Sequence, residues 1–230
     1  MTTKAAHKNL KVVIPARGGS KGVPKKNVRL LNGIPLIVYP IRAAQKSKYV
    51  SQIYVSTDDQ QIAGIAEAHG ASIIHRPAQY ATDSALDIDV MRHAVKHLND
   101  HEDIIHLRAT TPMVKPSMIG AAVEYFLDNL GCTGLRSAHE APETAYKSFK
   151  KTGTYWEGLF NHEYEGDYYN WARQDLPKTY QPNGSIDIIR PNHFMHNDTL
   201  HGTKMLAFVT PFMHDIDTID DFKTIEAIYG

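Results

Sequence analysis

Short runs of Val, Ile and Tyr alternate with single amphipathic helical runs along the first half of this chain, and that alternation constrains the fold more than any other feature. Residues 11–15, 52–56, 71–74 and 103–107 read as buried strands. Between them, Ile62, Ala63, Ile65, Ala66 and Ala68 recur at helical spacing from a capping Asp58 or Asp59 to Gly70. Asp83 opens a second helical run through Ile88, Met91 and Val95, and Pro116 stands just inside a third, through Ile119, Ala122, Val123 and Phe126. Pro35 suits the first position of a further helix, through Leu36, Ile37, Tyr39, Ile41 and Ala44, which Pro40 would kink or divide. Strands separated by one helix each need crossover connections. The fold class is therefore α/β, with an open, mainly parallel mixed sheet flanked by helices.

From about residue 138 to 181 the alternation stops. This stretch holds Tyr146, Tyr155, Trp156, Phe160, Tyr164, Tyr168, Tyr169, Trp171 and Tyr180 without a helical period, and reads as a β-lobe or a subunit interface. Strands at 185–189 and 205–209 and a closing helix from Ile219 to Ile228 restore the pattern. No repeat or linker divides the chain, so residues 1–230 read as one domain carrying an inserted lobe. Hydrophobic residues at 42% and charged residues at 22% exclude wholesale disorder. No run approaches the roughly 20 apolar residues that span a bilayer, and residues 1–9 lack an apolar leader core. One cysteine, Cys132, forbids an intramolecular disulfide and fits a reducing cytoplasm. With 25 Lys+Arg against 25 Asp+Glu, no broad field invites nucleic acid or a membrane surface. A polyanionic ligand must be met by a local cluster of cations.

That cluster follows the first strand directly. Ala16-Arg17-Gly18-Gly19-Ser20-Lys21-Gly22-Val23-Pro24-Lys25-Lys26-Asn27 carries four cations, three glycines and a hydroxyl, and no acid. Glycines let backbone N–H groups approach an anion, while Arg17 and Lys21 bring charge. The position is right as well, because open α/β sheets bind ligands beyond the C-terminal ends of their strands. A merely solvated turn would not need so many cations beside glycines. The spacing is neither a Walker A loop nor a dinucleotide fingerprint.

Ile14 to Gly22, followed by Pro24-Lys25-Lys26-Asn27, resembles the opening motif of the acylneuraminate cytidylyltransferases, the CMP-sialic acid synthetases. Further blocks follow in order: Val55-Ser56-Thr57-Asp58-Asp59, Arg76-Pro77 with Ala81, Thr110-Thr111-Pro112, Arg173-Gln174 with Leu176-Pro177, Pro182-Asn183-Gly184-Ser185-Ile186, and Asp215-Ile216-Asp217-Thr218. The resemblance implies a nucleotide-diphospho-sugar transferase-like fold. It implies attack by the anomeric hydroxyl of a 2-keto-3-deoxy sugar acid on the α-phosphorus of CTP, with pyrophosphate leaving. By the matching positions, Arg17 and Lys21 would bind the triphosphate and stabilise the leaving charge, with Ala16, Gly18, Gly19 and Ser20 as the loop around it. Lys26 and Asn27 would hold the nucleotide, and Arg76, Ala81 and Ser84 would read cytosine and ribose. Asp215 and Asp217 would bind Mg²⁺, as alternate residues whose carboxylates can face one side. Asp217 or a hydroxide on the metal would take the sugar's proton. Asp217 also stands where a helix cap is expected. Lys147 and Arg173 would meet the sugar's carboxylate from a lobe that resembles the family's dimerisation element, so a homodimer is implied.

Three departures from the family pattern fall where its members line the sugar pocket. Arg108 replaces a glutamine, Gln181 replaces an arginine, and Asp187 replaces a tyrosine. Moving the positive charge to Arg108, with Asp187 available to an amino or hydroxyl group, points to a sialic-acid relative such as legionaminic acid or another bacterial nonulosonate. A deoxy-octulosonate is disfavoured, since those synthetases carry a shorter, different loop. Two rival readings remain: a nucleotidyltransferase of the same fold for another sugar acid, and a non-catalytic nucleotide-binding protein. Lys21 together with the Asp215/Asp217 pair counts against the second. Among 13 histidines, His101 and His106 stand five apart rather than four, so no zinc site is expected there. His193, His196 and His201 read as surface residues or sugar contacts.

Overall fold

The computed structural model describes residues 9–99 and 101–229. The first eight residues, where the sequence shows no apolar leader core, lie outside the described residues. In chain order the elements are β1 (Leu10–Pro15), β2 (Leu30–Leu31), β3 (Ile34–Pro35), α1 (Val38–Gln45), β4 (Val50–Thr57), α2 (Gln60–Ala68), β5 (Ser72–His75), α3 (Asp87–Leu98), β6 (Ile104–His106) and α4 (Pro116–Leu127). They continue as β7 (Gly134–Glu140), β8 (Phe149–Thr152), β9 (Tyr155–Gly158), β10 (Tyr180–Ile189), α5 (Pro191–Phe194), β11 (Met205–Val209) and α6 (Ile219–Tyr229).

Seven strands form the main sheet in the order β11-β7-β10-β6-β1-β4-β5. All neighbours run parallel except β10, which is antiparallel to both β6 and β7. β1 is central, and successive side chains serve opposite cores, as the period of two requires. Leu10, Val12 and Ile14 pack with Ile41, Ile62 and Phe126 of α1, α2 and α4. Val13 faces Met91 and Val95 of α3 and Phe194 of α5. A third apolar cluster seats α6, through Phe222 and Ile225, on Leu31 and Leu36.

Three expectations fail for local reasons. Pro35 ends β3 rather than opening a helix, and Pro40 falls in the first turn of α1, where no intrahelical N–H is needed, so it neither kinks nor divides the helix. Asp83 does not open α3, which begins at Asp87. Of the two candidate caps for α2, Asp59 serves: its Oδ1 accepts from the Ile62 N–H at 2.9 Å.

Between β7 and β10 the chain makes the β8–β9 hairpin and several short turns. Tyr168 is fully buried there, and its hydroxyl accepts from the Phe160 N–H at 2.8 Å. Tyr155 and Trp156 on the hairpin stay exposed, at 79% and 71%. Among the described residues no helix is long and apolar enough to cross a membrane.

Candidate active site

From β1 the chain steps outward to β4 and β5, then returns to β6 on the other side of β1. Such a reversal opens a crevice at the C-terminal strand ends, where open α/β sheets bind ligands. A cleft of about 430 Å³ lies there, within the range of small-molecule sites. Its lining includes Arg17, Ser20, Lys21, Lys26 and Asn27 from the loop after β1, Arg76 from the end of β5, Arg108 after β6, and Asp217. Gly19 and Ala81 line a shallower recess that shares Arg17, Ser20 and Lys21 with it.

The loop is held by its own backbone. Ala16 N–H donates to the Ser56 carbonyl at 2.9 Å, Gly18 N–H to Asp58 Oδ1 at 3.0 Å, and Asn27 Nδ2 to the Arg17 carbonyl at 2.9 Å. Asn27 is thus buried as a brace of the loop. Gly22 is required by close approach, since a Cβ there would overlap the Asp217 carbonyl oxygen. Lys26 completes that junction. Its Nζ donates to the Ile216 carbonyl at 2.6 Å and pairs with Asp217 Oδ1 at 3.2 Å.

Arg17 and Lys21 converge on one acid that the sequence reading placed in a helix. Arg17 Nη2 lies 2.8 Å from Asp83 Oδ1, and Lys21 Nζ 2.6 Å from Asp83 Oδ2. The hydrogen bond from Lys21 holds the Asp83 carboxyl below its ordinary range. The two cations are therefore spaced to share one anionic group. Arg76 is buried, donating to Ser56 Oγ at 3.2 Å and to the Ser56 carbonyl at 2.6 Å. Burial pulls its guanidinium down to about 10, so it remains a cation at neutral pH. Ser84 is exposed, and its hydroxyl lies 3.2 Å from that of Thr82.

Asp215 and Asp217 flank the buried Ile216, whose N–H donates to the Thr110 carbonyl at 2.9 Å. Crowding around Asp215 raises its carboxyl, and the neighbouring Asp217 charge raises it further against a hydrogen bond from Thr110. The cap of α6 is not Asp217. Thr218 and Asp221 form it, Asp221 Oδ2 accepting from the Asp217 and Thr218 N–H groups and Thr218 Oγ1 accepting from the Asp221 N–H. No cluster of three or more His, Cys, Asp or Glu side chains suited to a metal occurs among the described residues. The donor set still suits Mg²⁺, which takes one or two carboxylates and fills its shell with phosphate oxygens and water.

The opposite wall is a charge cluster whose inner members are buried. Arg108 Nη2 donates to Asp87 Oδ2 at 2.7 Å and Nη1 to Asp187 Oδ2 at 3.3 Å. Asp187 is fully buried in β10, with His201 Nε2 at 3.5 Å and His106 Nδ1 at 3.9 Å from the same oxygen. It stands behind Arg108 and does not line the cleft, so the expected direct contact with a sugar group is replaced by a grip on Arg108. His201, expected at the surface or in contact with the sugar, is buried in the same cluster and does not line the cleft. Lys147 and Arg173 lie in the excursion between β7 and β10, and exposed Gln181 faces His139 across β10 and β7; none of the three lines the cleft of this single chain. Sequence reasoning gave no site role to Asp83, Asp87 or His106. Asp83 could have been flagged as the acid nearest the Arg76–Ala81 block, whereas Asp87 and His106 carry no local motif.

The sequence pattern of a protein family described as cytidylyltransferase matches residues 11–153. An N-acylneuraminate cytidylyltransferase of Escherichia coli is 31% identical over 216 residues, covering 93% of this chain and 50% of that protein. A CMP-N,N'-diacetyllegionaminic acid synthase of Campylobacter jejuni is 34% identical over 228 residues, covering 93% of this chain and 92% of that one. The chain thus spans half the length of the first relative and nearly all of the second. Among solved structures, a CMP:2-keto-3-deoxy-manno-octonic acid synthetase complexed with CTP superposes with a TM-score of 0.73 at 16% identity, covering 96% of this chain and 98% of that one.

Proposed function

The chain belongs to the cytidylyltransferase family, and from that premise we propose that it couples CTP to a sialic acid-like nonulosonic acid, releasing pyrophosphate and a CMP-sugar. The observation that carries this reading is the convergence of Arg17 and Lys21 on a single anionic position at the sheet's reversal point, in a cleft that Lys26 and Asp217 also line. The acceptor's anomeric oxygen forms a bond to the α-phosphorus, and the bond from that phosphorus to the bridging β-phosphate oxygen breaks. Arg17 and Lys21 hold the departing phosphates and neutralise the charge that accumulates on them. Arg76, fixed by Ser56, reads the nucleotide together with the backbone near Ala81 and with Ser84. The hydroxyl proton passes to Asp217 or to solvent beside it. Mg²⁺ is the cofactor proposed, held by Asp215 and Asp217, and it would screen the triphosphate when bound.

For the acceptor, legionaminic acid or a related bacterial nonulosonate is supported by the substitution at Arg108, which lines the cleft, and by the likeness to the Campylobacter jejuni protein. Exposed Tyr155 and Trp156 support a homodimer through the 138–181 lobe, in which Lys147 and Arg173 would serve the neighbouring site. A single buried Cys132 suits the cytoplasm.

The test is pyrophosphate release from CTP with Mg²⁺ over a panel of 2-keto-3-deoxy sugar acids, with UTP in parallel. Lys21→Ala and Asp217→Ala should each lower turnover by about a hundredfold or more. Absence of release with every acceptor would overturn the reading, and a preference for UTP would overturn the base assignment. A strong preference for N-acetylneuraminate would overturn the acceptor assignment alone.

A further inference from the structure

The two walls of the cleft come from opposite sides of β1, with Arg76 on the β5 side and Arg108 on the β6 side. A free arginine on the Arg108 wall would be a receptor for an anion. Its surroundings forbid that role. The guanidinium is matched by two carboxylates, at 2.7 Å and 3.3 Å, and rests on the backbone of β10, where a Cβ at Gly184 would come within 2.9 Å of Nη1. No positive charge is left for a second anion. Beside it His106 is fully buried, lines the cleft, and has no hydrogen-bond partner on either ring nitrogen. Burial, and then the Arg108 charge, lower its ring to about 4, so at neutral pH it offers one N–H donor and one lone pair. Buried polar atoms without partners are rare; since neither nitrogen is exposed and Nδ1 lies 3.9 Å from Asp187 Oδ2, His106 backs the wall as a neutral ring and adds no second cation to it.

We infer that this wall selects the acceptor by its neutral polar substituents: Asp87 and Arg108 hydrogen-bond hydroxyl or acylamino groups of the sugar acid, His106 backs them as a neutral ring, and Asp187 is the positioning residue that fixes Arg108. The inference rests on the cytidylyltransferase reading and assigns the acceptor's own carboxylate to other cations.

Asp87 is half-exposed at the start of α3, so Asp87→Asn leaves the fold intact while weakening one grip on Arg108 and one acceptor atom. Its effect is read in pyrophosphate-release kinetics with CTP and acceptor varied separately. The acceptor KM should rise about tenfold, while the CTP KM stays within about twofold. Asp187→Asn should reproduce that split, which a merely structural lesion would not. Across acceptors differing in one substituent, the wild type should favour hydroxyl and acylamino groups over a carboxylated one, and both variants should narrow the preference. A rise in CTP KM equal to that of the acceptor, or wild-type preference for the carboxylated acceptor, would overturn the inference and leave the activity standing. Failure of the wild type on every acceptor would overturn the activity itself, and the inference with it.

Discussion

Replacing Asp187 by Asn removes one charge from the interior and leaves the shape unchanged. Burial alone would raise the Asp187 carboxyl, but the His201 ring and the Arg108 guanidinium outweigh it and hold the group down from 3.8 to about 2. His106 adds to this only in acid, because its own ring is neutral above about 4. A carboxyl with a depressed folded value stabilises the protein above its unfolded value, and that contribution is lost as the pH falls through the folded one. The shift corresponds to about 2 kcal/mol at pH 7. Losing the pair with Arg108 adds little beyond it, since Arg108 is partly exposed and keeps Asp87. A loss of about 2–3 kcal/mol should lower the urea midpoint by about 1 M and the melting temperature by about 5–10 °C. Urea titrations of both proteins from pH 7 downward measure it. The gap should hold constant from pH 7 to about 5 and narrow below about 4, on the acid side of the unfolded carboxyl. A midpoint shift under about 0.2 M at pH 7, or a gap that widens in acid, would refute the reasoning.

Asp83→Asn should tighten CTP binding severalfold at low salt, because Arg17 and Lys21 no longer need to exchange a carboxylate for phosphate; weaker binding in a titration would show that Asp83 organises the loop instead. Gly22→Ala should cost both activity and melting temperature, since its methyl group meets the Asp217 backbone, which cannot turn aside as a side chain can. Normal turnover in that variant would mean the loop and the acidic segment are not locked together. His106, with a folded value of about 4 against 6.5, makes the protein lose about 3 kcal/mol as pH falls from 6.5 to 4, because the unfolded chain takes up the proton first. His106→Asn should flatten that acid limb in a denaturant series, and an unchanged slope would refute it.

What the sequence disclosed and what it withheld divide along one physical line. β1, β4, β5 and β6 were legible because each carries a short contiguous apolar run, Val12 to Ile14, Ile53 to Val55, Ile73-Ile74 and Ile104-Ile105, that declares itself within a few residues. The cationic glycine loop was legible because its cations and glycines are contiguous, so the chain's own covalent geometry gathers them. Pro40 was misread because a proline is disruptive only where an N–H is needed, and that depends on where the helix starts. Asp83 was misread because an acid before a helical run is as good a cap as it is a partner for Arg17. β10 gave no local sign of its antiparallel direction, since Ile186, Ile188 and Ile189 are buried as they would be in a parallel strand. The direction matters chemically. Entering β6 in antiparallel register sets Asp187 opposite His106, two residues before Arg108, and turns three residues from α3, β6 and β10 into one wall. Asp187 read from sequence alone was a sugar contact exchanged for a tyrosine. Placed by the sheet, the same residue is the buried counterion that decides what Arg108 can bind.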